Sequence, residues 1–122
     1  MKVLIVDDEA DIRKVASLAL SRLGGMEVVE ASSGPDGIAA ASSRQPDAIL
    51  LDVMMPGMDG PAVLARLKAD PKTASIPVVF LTAKAMTSEH ARLRDLGAAG
   101  VLTKPFDPVS LAGQIRAILA GG

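Results

Sequence analysis

Apolar residues gather in five short runs, Lys2–Val6, Glu27–Ala31, Ala48–Leu51, Pro77–Leu81 and Gly100–Leu102, with helix-length stretches between them. Ala48–Leu51 and Val78–Leu81 are apolar at every position, the pattern of strands covered on both faces. After the first run, Ile12, Val15, Ala16, Ala19, Leu20 and Leu23 recur at helical spacing and stop at Gly24-Gly25, which predicts an amphipathic helix. Ser33 followed by Pro35 predicts a second helix reaching Arg44, and Pro61 opens a third that runs to about Ala69. Thr87 to Leu96 carries Ala91, Leu93 and Leu96 among charges, a thinner stripe that predicts a fourth. Asp107 as N-cap and Pro108 as first helical residue predict a fifth, with Leu111, Ile115, Ile118 and Leu119 on one face. Strand and helix therefore alternate five times, which predicts an α/β domain with a parallel sheet between two layers of helices. Right-handed crossovers then bring every carboxyl strand end to one edge, where such sheets hold ligands.

Composition narrows what that edge can do. A chain of 122 residues, 49% hydrophobic and 22% charged, fits one domain with a core of its own. Thirteen basic and fourteen acidic residues leave a net charge of −1, so no field draws the protein to nucleic acid or to an anionic membrane. With no cysteine there is neither a disulfide framework nor thiol chemistry. The opening run is too short for a signal peptide or a membrane span, and the expectation is a soluble, cytoplasmic protein. Two phenylalanines are the only aromatic residues, which argues against stacked flavin or bases.

Candidate chemistry lies where the runs end. Val3–Val6 passes into Asp7-Asp8-Glu9, and Ala48–Leu51 passes into Asp52. Carboxylates gathered at one sheet edge repel one another and stay ionised together only around a cation. An all-oxygen set without His or Cys selects a hard ion, and few protein ligands with room for water favour magnesium over calcium. Capping of the first helix would account for one of these acids but not for a second group on another strand. Thr82 closes the fourth run beside the small Ala83, and Lys104 follows the fifth in Thr103-Lys104-Pro105-Phe106, a fixed positive charge next to acids. A Lys before Pro has restricted backbone freedom, with a cis bond open to it.

Val6-Asp7-Asp8-Glu9, Leu51-Asp52-Val53-Met54-Met55-Pro56-Gly57-Met58-Asp59-Gly60, Leu81-Thr82-Ala83 and Thr103-Lys104-Pro105-Phe106 together resemble the signature of the receiver domain of bacterial two-component response regulators, in order and from end to end. The resemblance implies a flavodoxin-like (βα)5 three-layer sandwich, strand order 2-1-3-4-5, with residues 1–122 forming a single receiver domain and no effector domain. It implies that Asp52 is the phosphoacceptor and that Asp8, Asp52 and the main-chain carbonyl of Met54 hold Mg2+, with Asp7 reaching the ion directly or through water. Lys104 matches the residue that pairs with the phosphoryl group and Thr82 the switch hydroxyl, while Glu9 supports the site or caps the helix. The implied partners are a sensor histidine kinase or phosphotransfer protein and an output protein meeting the fourth helix, fifth strand and fifth helix. The implied activity is self-catalysed phosphotransfer and dephosphorylation rather than that of an enzyme on a separate substrate.

One position departs from the family. Three residues before Lys104, where such receivers carry Tyr or Phe, stands Val101, which has no ring to swing inward and puts the usual output mechanism in question. Met54 and Lys84 flank the phosphoryl site in the family, although Met54, Met55 and Met58 also suit adaptable filler and Lys84 a solvated charge. His90, the sole histidine, reads as a surface residue because no partner accompanies it. A magnesium-dependent phosphatase with an aspartyl-phosphate intermediate is disfavoured, since such enzymes space two acids two residues apart on the first strand and carry a cap domain. A phosphate-independent receiver acting as a binding module is disfavoured by the intact Asp7, Asp8, Asp52, Thr82 and Lys104.

Overall fold

The structure, a computed structural model, describes residues 1–84 and 86–121. Its strands are β1 (Lys2–Val6), β2 (Glu27–Ala31), β3 (Ala48–Asp52), β4 (Val78–Thr82) and β5 (Gly100–Thr103). All pair in parallel, in the order β2-β1-β3-β4-β5, as the sequence resemblance implies. The helices are α1 (Ala10–Leu18), α2 (Gly34–Arg44), α3 (Gly60–Ala69), α4 (Thr87–Asp95) and α5 (Leu111–Leu119).

Alternation along fully apolar strands divides the interior into two cores. Leu4, Val6, Ile49, Leu51, Val78 and Phe80 point to one face, where Ala41 of α2, Val63, Leu64 and Leu67 of α3 and Leu93 of α4 cover them. Val3, Ile5, Leu50, Val79 and Leu81 point to the other, under Ala16 of α1 and Leu111, Ala112 and Ile115 of α5. Covering both faces removes the need for a polar side to the sheet, which is why the central strands carry no alternation in polarity. Among the described residues, no helix is long and apolar enough to cross a membrane.

Several boundaries differ from the sequence expectation. Three of the strands reach one residue further than their apolar runs, so Asp52, Thr82 and Thr103 are the last members of β3, β4 and β5. The fifth helix begins at Leu111, not Pro108, because Asp107 Oδ1 accepts the Val109 amide at 3.0 Å and closes residues 107–110 into a turn. Ser33 does cap α2, accepting from the Asp36 amide at 3.2 Å. Beyond Leu18 the first helix widens into a π-helical segment, Ala19–Leu23, closed by the Gly24 amide on the Ala19 carbonyl at 3.1 Å. Ala16, Ala19 and Leu20 stay buried, whereas Val15 and Leu23, which the stripe places inward, are exposed.

Candidate functional site

The carboxyl ends of β1, β3, β4 and β5 converge on one edge, and the parallel register sets their side chains in a row. Asp52 lies opposite Leu81, so Thr82 is one step beyond it, and Thr82 in turn lies opposite Thr103, the residue before Lys104. The Lys104 amide continues that ladder onto the Thr82 carbonyl at 2.7 Å, and the Lys104–Pro105 bond is cis. Asp7, Asp8, Glu9 and Asp52 each bring one carboxylate oxygen within 4.8 Å of the others.

The burial of these acids is uneven, and it decides their chemistry. Asp7 and Asp52 are 1% and 4% exposed, whereas Asp8 and Glu9 face solvent. Asp7 Oδ1 accepts the Glu9 amide at 2.9 Å, but Asp7 Oδ2 and Asp52 Oδ2 are buried with no hydrogen-bond partner among the described residues. Such oxygens are costly to bury: no described residue donates to Asp52 Oδ2, Asp7 Oδ2 has only the unaligned Lys104 ammonium, and beside exposed Asp8 they form a donor set that suits a hard cation. Glu9 occupies the N-cap position of α1 without a side-chain cap bond, so simple capping does not explain the acids.

Lys104 is the local counter-charge. Its Nζ lies 3.2 Å from Asp7 Oδ2, 3.2 Å from Asp52 Oδ1 and 3.3 Å from Glu9 Oε1. Burial and the charge of Asp7 raise the Asp52 carboxyl to a pKa of about 6, against the opposing pull of Lys104. Burial alone would lower the Lys104 ammonium, but the carboxylates of Asp52 and Asp7 outweigh it and hold the group above its ordinary value. The ammonium is thus a permanent charge beside an acid that ionises late.

Around this centre, Thr82 is buried and its Oγ1 accepts the Lys84 amide at 3.1 Å, with its own hydroxyl proton left to donate. Met54 leaves β3 two residues after Asp52 with its side chain 71% exposed, which does not suit core filler. The segment after β3 folds back at Gly57 (φ 78°), where a side chain would be strained, and returns through the Gly60 amide onto the Val53 carbonyl at 2.9 Å. Lys84 is exposed, and His90 lies outside the acid group, with Nε2 3.0 Å from the Lys84 carbonyl. Val101 is buried against the α4 side of the sheet with Leu93, and a cleft of about 280 Å³ opens beside it between β5 and the start of α5, lined in part by Thr103, Phe106 and Gln114.

Sequence reasoning missed two contacts. Arg13 donates from Nη1 to the Asp7 carbonyl at 2.8 Å and pairs with Glu30 at 3.6 Å, bracing the turn that carries the acids. Glu9 meets Lys104 across 95 positions of sequence. An arginine one turn into α1 was the only available hint for the first, and nothing local signals the second.

Comparison with known proteins agrees with this geometry. The family model for the response regulator receiver domain matches residues 3–116. The chain is 41% identical over 117 residues to the phosphate regulon transcriptional regulatory protein PhoB of Pseudomonas aeruginosa, covering 96% of this chain and 51% of that one. It is 36% identical over 121 residues to protein PilH of the same organism, covering 98% of each. It thus spans about half the length of the first relative and nearly all of the second. The crystal structure of chemotaxis response regulator CheY4 of Vibrio cholerae superposes with a TM-score of 0.89 at 32% identity, over 96% of this chain and 97% of that one.

Proposed function

The chain belongs to the response regulator receiver domain family, and from that premise we propose that it is a phosphorylation switch whose phosphoacceptor is Asp52. The observation that carries this reading is the bare, buried Asp52 Oδ2 at a sheet edge shared with Asp7 and the Lys104 ammonium. That oxygen attacks phosphorus in a phosphohistidine of a sensor kinase or phosphotransfer protein; the phosphorus–nitrogen bond breaks and its electron pair leaves with the imidazole. A pKa of about 6 keeps Asp52 largely ionised at neutral pH yet more basic than an ordinary carboxylate, which suits a nucleophile. Asp7, Asp8, Asp52 and the Met54 carbonyl are the groups that would hold Mg2+, which when bound offsets charge gathering on the phosphoryl oxygens. Lys104 supplies a second positive charge from the β5 side, and Thr82 turns its hydroxyl toward a phosphoryl oxygen as donor.

Transfer and hydrolysis are self-catalysed steps of a signalling domain and not an enzyme activity on a separate substrate. Residues 1–122 act as one receiver domain in the cytoplasm, and output passes to a protein partner through α4, β5 and α5. The near-neutral charge supports a protein partner over nucleic acid for this domain. Met54 and Lys84, two residues beyond Asp52 and Thr82 and exposed, would modulate hydrolysis as their counterparts in the family do. Peptide mapping after incubation with magnesium and acetyl phosphate tests the assignment: the phosphoryl group is expected on the peptide containing Asp52, and its appearance on another acid would contradict it.

A further inference from the structure

Lys104 Nζ has three N–H donors and three carboxylate neighbours, yet they are not equivalent. Among the described residues, the bond in good hydrogen-bond alignment goes to Glu9 Oε1, at 3.3 Å; Asp7 Oδ2 and Asp52 Oδ1 are slightly nearer, at 3.2 Å, in less aligned ion pairs. Asp7 and Asp52 are buried, whereas the Glu9 side chain is 61% exposed and the Lys104 side chain only 14%. Glu9 stands at the N-cap position of α1, but its carboxylate leaves the helix amides alone and reaches β5 instead.

We propose that Glu9 is a positioning residue for Lys104: it draws the ammonium toward the rim of the site and so sets how strongly this built-in cation competes with a divalent one for Asp7 and Asp52. The proposal rests on the magnesium reading given above. A divalent ion entering among Asp7, Asp8 and Asp52 must take oxygens that Lys104 shares in the free protein. With Glu9 present, the ammonium keeps a partner at the rim while it yields them. Without Glu9, its remaining counter-charges are the two buried carboxylates, and the ion must displace an ammonium that has nowhere else to pair. Glu9 lies within 4.8 Å of the other acids and its own charge also attracts the ion, an effect that the Lys104→Met background separates from its action through the ammonium.

A double-mutant cycle read by magnesium calorimetry at fixed ionic strength tests this with the natural chain, Glu9→Gln, Lys104→Met and the double variant. Glu9→Gln is expected to weaken magnesium binding about threefold in the natural background, the scale of a partly exposed ion pair, and less than about 1.5-fold in the Lys104→Met background. The same factor in both backgrounds, or no change in the natural one, overturns the proposal, the first because Glu9 then acts on the ion by its own charge. Failure of the natural chain to bind magnesium at all would be a failure of the metal reading instead. A metal-free measurement then decides: the 15N-labelled Lys104 ammonium signal should be sharp in the natural chain and broadened by solvent exchange in Glu9→Gln, and an unchanged signal overturns the role.

Discussion

Asp52 sits between burial and Asp7, which oppose its ionisation, and Lys104, which favours it, and the first two win. The consequence for stability follows from the sign of the shift. With its folded pKa at about 6, well above the ordinary aspartate range, the metal-free folded state holds the Asp52 proton more tightly than the unfolded chain. That contribution is fully present below the unfolded value and is lost as pH rises through the folded one. Asp52→Asn never ionises, so in chelator its stability should gain on the natural chain by about 1–2 kcal/mol between about pH 4 and about pH 7, after discounting for solvent screening. Urea unfolding of both proteins at each pH measures the gap, and a gap that does not widen counts against the assigned environment. Asp7, Asp8, Asp52, Thr82 and Lys104 were legible because each ends or follows an apolar run, so topology alone brings them to one edge. For Glu9 the sequence suggests only support of the site or a helix cap, since its pairing with Lys104 depends on side-chain reach between two elements far apart in sequence.

At the scale of elements, the segment from Asp52 to α3 carries the site's tolerance. Gly60 opens α3 at a point where an added Cβ would lie 2.5 Å from the Asp52 carbonyl oxygen and 2.9 Å from both Phe80 Cε1 and the Val53 Cα. Backbone is two of those three neighbours, so relief requires moving the strand end that carries Asp52. Gly60→Ala is therefore expected to cost about 1–3 kcal/mol in urea unfolding and to slow phosphorylation from acetyl phosphate by more than that loss of folded protein explains. Normal phosphorylation in a destabilised variant would detach the turn from the chemistry. The inner strands β1, β3 and β4 were readable because both their faces are buried, and α2 because Ser33 and Pro35 act locally. The π-helical segment Ala19–Leu23 and the late start of α5 were not, because each is settled by hydrogen bonds that spacing rules do not weigh: the Gly24 amide on the Ala19 carbonyl, and Asp107 on the Val109 amide.

Across the whole molecule, anchoring is unequal, and the inequality bears on output. α3 sets Val63, Leu64 and Leu67 on one core and α5 sets Leu111, Ala112 and Ile115 on the other; α2 adds Ala41 with the partly buried Ile38 and Ala40, α1 adds Ala16 and the partly buried Ile12 and is continued by Ala19 and Leu20, while α4 contributes only Leu93. With no partly buried apolar neighbour on the same helix to support Leu93, α4 is the most thinly anchored of the five and should show the fastest amide exchange. Val101, with no ring to move, is packed beside Leu93 on that same core. Phosphorylation is accordingly expected to change exchange over α4 more than over α5, and an unchanged α4–β5–α5 face would exclude output there. All of this presupposes that Asp52 takes the phosphoryl group, and intact mass measured after incubation with acetyl phosphate addresses that most directly. The natural chain with magnesium should gain one phosphoryl group, while Asp52→Asn with magnesium and the natural chain in chelator should gain none. A natural chain that gains nothing, or a gain that survives Asp52→Asn, would contradict the account.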